Sequence, residues 1–256
     1  MYGAVFGDLA GSIYEYDQTK GITNIKVDTL ITSDSFYSDD TILTIAIIDA
    51  ILHDKDYDKY LKMYANMYKD YKPNFKPYFK STFSPGFTRW VDGKKTGNSA
   101  GNGAMMRISG VGYLFDRKID VLENALQATI PSHNSKEAIS AATKVALLIY
   151  YFRYRFTKEE VLDRFKFDLK HAPFTRFNTT CNETIDNCLY SIFNTNSFDE
   201  SISDVISYGG DTDTNACIVG SISESIYGID DDKISIVNDK IPMSFQKVLK
   251  QTGYYR

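Results

Sequence analysis

Two acidic clusters hold the residue types best able to do chemistry in this chain: Ser38-Asp39-Asp40-Thr41 and Asp211-Thr212-Asp213-Thr214. Each supplies two carboxylates flanked by hydroxyls. Ser, Thr and Asp are preferred helix N-caps, and a carboxylate at a helix start gains a few tenths to about 1 kcal/mol from the helix dipole. Capping therefore accounts for either cluster taken singly, although one Asp would serve. Asp211 and Asp213 are two apart, which puts them on the same side of an extended segment, and Gly209-Gly210 ahead of them permits one. The clusters lie about 170 residues apart in sequence. If they meet in space, four carboxylates share one pocket, and each pair about 4 Å apart repels by roughly 4 kcal/mol at an effective dielectric near 20. Cations or protons must then be present. Carboxylate and hydroxyl oxygens suit Mg²⁺ or Mn²⁺, and four carboxylates neutralise two divalent ions, the composition of a dinuclear hydrolytic site.

Three further features carry polar groups. The stretch Asn98-Ser99-Ala100-Gly101-Asn102-Gly103-Ala104-Met105-Met106-Arg107 is a glycine-punctuated loop running into a predicted helix. It is either a tight turn or a place where backbone N–H groups hold an anion such as phosphate. Arg107 would pair with that anion or with a carboxylate of the protein. Asp8, Ser12 and Glu15 follow four-and-three spacing, and their shared helix face reads first as solvated surface, otherwise as the edge of a polar site. His133 is the only one of three histidines set among helix-start residues; it is hydrogen-bonded structure or a ligand contact.

The elements that must position these groups read as helices. Residues 41–53 (TILTIAIIDAILH) are apolar on nearly every face and follow capping residues, which predicts a buried helix. Residues 214–228 predict a second, with Ala216, Val219, Gly220, Ser223 and Tyr227 on one face and Gly228 as its stop. Residues 135–152 predict a third, capped by Asn134, with Ala138, Ala142, Val145, Ile149 and Phe152 in one stripe. Gly3, Gly7 and Gly11 recur every four residues, leaving one side of an N-terminal helix bare for a close neighbour. Residues 57–68, 121–129, 158–164, 183–193 and 198–207 give weaker helical patterns, and residues 69–90 read as a long surface excursion. Few segments alternate like strands, and no repeat or linker divides the chain. A single, mainly α-helical domain over residues 1–256 follows.

Composition narrows the function classes. At 256 residues and 43% hydrophobic, the chain is long enough to bury one sizeable core. Its net charge of −4 lacks the basic excess that a phosphate backbone calls for, so no nucleic-acid partner is expected. No apolar run reaches the roughly 18 to 20 residues of a membrane span. The opening MYGAVFGDLAGS lacks the basic region of a signal peptide, so a cytoplasmic location is expected. Cys181, Cys188 and Cys217 have neither disulfide nor zinc spacing and read as small buried residues. The 19 Tyr and 16 Phe supply bulk for packing or for stacking on a ligand.

In order and spacing, five of these segments together resemble the ADP-ribosylglycohydrolase family, the group containing dinitrogenase reductase-activating glycohydrolase and the ADP-ribosyl-acceptor hydrolases. They are Gly7-Asp8-Leu9-Ala10-Gly11-Ser12-Ile13-Tyr14-Glu15, Ser38-Asp39-Asp40-Thr41, Gly101-Asn102-Gly103-Ala104-Met105-Met106-Arg107, Ser132-His133-Asn134 and Gly209-Gly210-Asp211-Thr212-Asp213-Thr214. The resemblance spans most of the chain. It implies a compact all-α, single-domain orthogonal helical bundle with two divalent cations, Mg²⁺ or Mn²⁺, in a cleft between helices. It further implies Ser38, Asp39, Asp40, Asp211, Asp213 and Thr214 as metal ligands, with Glu15, Asp39, Asp40 and Asp213 as the catalytic acids. Ser99, Gly101, Asn102 and Gly103 would cradle the ribose and diphosphate, and His133 would contact the same ligand. The implied activity is metal-dependent cleavage of the glycosidic bond joining ADP-ribose to an acceptor, releasing ADP-ribose. The acceptor would be a protein side chain such as arginine or serine, or a related small compound.

Two residues depart from that pattern. Ser38 replaces the usual Thr but keeps a hydroxyl and a carbonyl, whereas Ala100 stands where many relatives carry an aromatic, which bears on affinity and substrate preference. Phe174-Thr175-Arg176-Phe177 resembles a stretch of bacterial members, and its aromatics would contact adenine or belong to the core. Two other functions stay open on the same fold: a non-catalytic ADP-ribose-binding or structural protein, and a two-metal phosphohydrolase that would release AMP.

Overall fold

The computed structural model describes residues 1–15, 25–75 and 81–254. In chain order its helices are α1 (Tyr2–Gly11), α2 (Asp39–Leu52), α3 (Tyr57–Met67), α4 (Pro85–Val91), α5 (Gly103–Met106), α6 (Ser109–Leu114) and α7 (Lys118–Thr129). There follow α8 (Lys136–Arg153), α9 (Lys158–Phe165), α10 (Cys181–Asn194), α11 (Phe198–Ser207), α12 (Thr212–Tyr227), α13 (Asp231–Lys240) and α14 (Met243–Gln251). Among the described residues no strand forms, and two isolated bridges join Asn98 to His133 and Gly101 to Thr180. No described helix is long and apolar enough to cross a membrane.

The axis of the bundle is the pair α1 and α12, which pack along one another and are flanked by α8, α10 and α11. Every residue of α1 is buried, and the predicted glycine seam is what lets the two backbones touch. A side-chain carbon on Gly3, Gly7 or Gly11 would lie 2.3, 2.0 or 2.2 Å from the carbonyl oxygens of Gly220, Ala216 and Thr212, closer than real contacts allow. Glycine in a helix costs about 1 kcal/mol relative to alanine; here it permits the packing that brings residue 8 beside residue 213.

Helix ends follow local chemistry. In α2, Ser38 caps by accepting from Asp40 N at 3.2 Å, so the helix starts two residues before the predicted 41–53. The cap of α8 is Ser135, which accepts from Ala138 N at 3.1 Å, whereas the N–H of Asn134, the expected cap, goes to Gly97 O. Capping boxes start α9 at Thr157 and α10 at Thr180, and Gly228 ends α12 with φ +79° as predicted. The expected excursion at 69–90 turns back into the fold. Residues 76–80 lie outside the described residues, but Phe83 and Trp90 are buried and Pro85 at the start of α4 builds a wall of the cleft.

Candidate metal centre and ligand cleft

The N-termini of α2 and α12 converge. Thr214 Oγ1 donates to Asp40 Oδ2 at 3.2 Å, and one carboxylate oxygen from each of Asp8, Asp40 and Asp213 lies within 4.8 Å of the other two. A second group, Glu15, Asp211 and Asp213, meets the same limit. Asp213 belongs to both. Asp211 precedes the helix with non-helical φ and ψ, which turns its carboxylate to the same side as that of Asp213. Its partners are fixed from elsewhere: Asn102 Nδ2 donates to Asp211 Oδ2 at 2.7 Å, and Asp211 N donates to Asn178 Oδ1 at 2.8 Å.

Asp8 and Glu15 do not face solvent; both are buried, because the glycine seam presses α1 against α12. Glu15 lies past the end of α1, after a turn, rather than on the helix face the spacing suggested. Asp8 organises the start of α2 from outside it. Its Oδ2 accepts from Ser38 N at 2.9 Å, Thr41 N at 3.1 Å and Thr41 Oγ1 at 2.5 Å, while Oδ1 accepts from Ser38 Oγ at 2.8 Å. Residue types alone missed this role. Its signal in the sequence is its place in the glycine seam, one residue after Gly7 and three before Gly11.

The charge of the cluster is left to its own devices. Burial first, and the neighbouring charge of Asp213 second, push Asp8 up to about 7 against the hydrogen bonds that lower it. Asp39 and Asp40 are raised well above the usual carboxylate range by burial and by Asp213 and Asp8. Asp40 Oδ1 is buried and accepts no hydrogen bond among the described residues. An orphaned carboxylate oxygen among several acids is what a hard divalent cation would satisfy, so the oxygen set fits Mg²⁺ or Mn²⁺ by its chemistry. Buried acidic groups able to hold a metal ion are thus present.

These residues open onto a cleft of about 660 Å³. Asp39, Asp40, Asp211, Asp213 and Thr214 form one wall; Ser38, Asp8 and Glu15 stand behind it. Residues 98–103 and His133 form a second wall, with Phe177 beside them, and Phe87 and Trp90 also line the cleft. The glycine loop is tied down by its own amides: Gly101 N donates to Ser99 Oγ at 3.0 Å and Asn102 N to Thr179 O at 3.0 Å. Ala100 O accepts from Cys181 N at 2.9 Å, so the segment carrying Phe177 runs beside the loop. Of the aromatic stretch 174–177, Phe177 lines the cleft, whereas Phe174 packs against Gly210 and faces a separate groove.

His133 is buried, and burial together with the adjacent Arg107 charge holds its imidazole well below the usual histidine range. Arg107 forms no ion pair among the described residues; burial pushes it down to about 10, which leaves it charged at neutral pH. All three cysteines are free and buried, and burial raises their thiols, so no thiolate nucleophile is available.

An all-α bundle with carboxylates from two helix starts meeting at a cleft belongs to a recognisable class. Residues 1–236 match the ADP-ribosylglycohydrolase family. The chain belongs to that family of glycoside-cleaving hydrolases. Among solved structures, an "ADP-ribosylglycohydrolase-related protein complex" shares the fold with a TM-score of 0.66 at 16% identity, covering 99% of this chain and 95% of that one. No curated protein sequence matches the chain.

Proposed function

We propose that the protein is a metal-dependent hydrolase that cleaves the glycosidic bond between ADP-ribose and an acceptor, either a protein side chain such as arginine or serine or a related small ADP-ribosyl compound. One observation carries this reading: two aspartate clusters remote in sequence share a hydrogen bond and a set of mutually close carboxylates at the floor of a ligand-sized cleft. A protein that only packed, or only bound ADP-ribose, would have no need of so many repelling acids.

In this reading Asp39, Asp40, Asp211 and Asp213, with Ser38 and Thr214, would hold two divalent cations, Mg²⁺ or Mn²⁺. Bound there, the cations supply charge that fixes the ribose hydroxyls and makes a water more acidic. Residues 99–103 cradle the ribose and diphosphate, with Asn102 also holding Asp211 in place. His133, kept neutral, offers a ring N–H to the ligand. Glu15, buried next to Asp211 and Asp213, or one of the aspartates on the cleft wall accepts a proton from the attacking water as the water's oxygen bonds to the anomeric carbon. The bond from that carbon to the acceptor nitrogen or oxygen breaks, and the proton passes to the leaving atom. The products are free ADP-ribose and the unmodified acceptor. Three unpaired thiols suit a reducing compartment, consistent with a cytoplasmic enzyme.

Chromatography of products from ADP-ribosylated arginine, ADP-ribosylated serine and free ADP-ribose, each with Mg²⁺, Mn²⁺ or chelator, tests the reading. It expects free ADP-ribose, formed only with metal. Release of AMP would replace it with a phosphohydrolase, and binding without turnover of either linkage would replace it with a non-catalytic binder.

A further inference from the structure

Arg107 is fully buried, and a guanidinium donates hydrogen bonds but never accepts them. Its Nη2 lies 2.7 Å from Ser132 Oγ and 3.4 Å from His133 Nδ1, and Ser132 Oγ is 2.8 Å from the same Nδ1. One arrangement of protons makes all three contacts hydrogen bonds. Ser132 Oγ accepts from Arg107, which directs its own hydroxyl proton to Nδ1. With a proton on Nδ1, Ser132 Oγ would accept from both the ring and Arg107, but Nη2 would then face the ring N–H at 3.4 Å as one donor against another. The neutral ring therefore carries its hydrogen on Nε2, and that nitrogen faces the glycine loop: a side-chain carbon on Gly101 or Gly103 would lie 3.4 or 3.5 Å from it. The backbone holds the ring in place, with His133 N donating to Thr129 O at 2.9 Å and Ser99 N to Ser132 O at 3.3 Å.

The rest of the guanidinium gains little. Nε and Nη1 find no acceptor among the described residues, and the Phe87 ring centre lies 6.0 Å from the guanidinium carbon. A buried cation with so few partners is a poor source of stability; against the burial that raises Asp39 its charge lowers that carboxyl, and its hydrogen bonds go to Ser132 and His133.

We propose that Arg107 is a positioning residue of the cleft: through Ser132 it locks His133 in the Nε2–H form, so that a hydrogen-bond donor is always presented to an acceptor oxygen of the ligand held against residues 99–103. Naming that oxygen as part of ADP-ribose rests on the function proposed above; the tautomer does not.

The chain has three histidines, His53, His133 and His171, so nitrogen-labelled histidine gives a spectrum simple enough to assign. Long-range proton–nitrogen NMR of the wild-type chain is expected to show His133 as the Nε2–H tautomer at neutral pH. In Arg107→Met the Nδ1–H form appears, the melting temperature does not fall, and ADP-ribose affinity drops about tenfold, the scale of one oriented hydrogen bond. Ser132→Ala, a small change that leaves Arg107 in place, moves the Nδ1 resonance toward that of an unbonded ring nitrogen and weakens ADP-ribose about threefold. If Arg107→Met does not fold, Ser132→Ala decides alone. A wild-type Nδ1–H signal, or variants that leave ring resonances and affinity unchanged, would overturn the assignment. If the resonances move as stated but ADP-ribose does not bind to the wild type, the positioning role stands and the ligand reading falls.

Discussion

Thr214 Oγ1 donates to Asp40 Oδ2 across 3.2 Å although 174 positions separate the two residues. The contact ties the first turn of α12 to the first turn of α2, and it does so between side chains that each belong to a capping segment. Two helix N-termini thus point their positive dipole ends at one group of carboxylates, which offsets part of the repulsion there. The offset is incomplete, since Asp8, Asp39 and Asp40 are all held above the usual carboxylate range.

Asp40→Asn removes one of the crowded charges while keeping an oxygen that accepts from Thr214. At pH 8 in chelator the variant is expected to be more stable than wild type by about 1–2 kcal/mol, a fraction of the roughly 4 kcal/mol pair repulsion, or a rise of about 2–8 °C in Tm. Added Mg²⁺ or Mn²⁺ should stabilise the wild type but not the variant, and hydrolysis should be lost. Thermal melts with and without metal read both effects; a variant less stable than wild type in chelator would refute the charge argument.

The pH dependence of the metal-free protein follows from the same cluster. Asp8 is pushed up to about 7 in the folded state, against 3.8 when unfolded, so between those values the folded chain binds more protons than the unfolded one. Stability is therefore full below about pH 4 as far as this group is concerned, and is lost as pH rises to about 7. The loss from Asp8 is about 4 kcal/mol at most. Urea unfolding in chelator at pH 5, 6, 7 and 8 should show ΔG falling through this window. Saturating Mg²⁺ should reverse the slope, because the cation competes with the protons.

Gly7→Ala tests the seam that brings Asp8 to the site. The added carbon would sit 2.0 Å from Ala216 O, and that neighbour is backbone, which cannot swing aside. We expect a loss of about 3 kcal/mol or more, at the top of the range for overpacked cores. Gly93→Ala, where nothing lies within 4 Å, is the control for a change of glycine alone; its φ of +70° confines the effect to about 1 kcal/mol of local strain.

Much of this architecture was legible in the residues. The paired aspartates announced themselves because capping needs one carboxylate and each cluster has two. The glycines at 3, 7 and 11 announced a close helix neighbour because nothing else rewards three such losses in one helix. Neither signal says which helix is the neighbour, so the burial of Asp8 stayed hidden: an acid that shares its spacing with Ser12 and Glu15 looks solvated until the partner is known. Asn178 had no signal at all, being a single amide in a loop, yet it receives Asp211 N and donates to Thr184 and Asn215. The α4 wall was missed because a seven-residue helix with Phe87 and Trp90 has too few turns to show a period.

Phe177→Ala addresses the position where Ala100 stands in place of an aromatic. The segment that follows Phe177 is pinned to the glycine loop through Asn102 N to Thr179 O at 3.0 Å and Cys181 N to Ala100 O at 2.9 Å. Phe177 itself is half-buried and lines the cleft beside that loop. Stacking of a base on an aromatic ring is worth about 1–3 kcal/mol by alanine substitution. If Phe177 supplies the platform that residue 100 lacks, Phe177→Ala should weaken ADP-ribose by roughly tenfold to a hundredfold. Binding of ribose 5-phosphate, which has no base, should be unaffected. Titration calorimetry with the two ligands separates these effects: equal losses for both would mean that Phe177 supports the loop rather than the base. Ala100→Tyr in the Phe177→Ala background should then restore affinity for ADP-ribose alone, because only a ligand with a base can use the ring it adds.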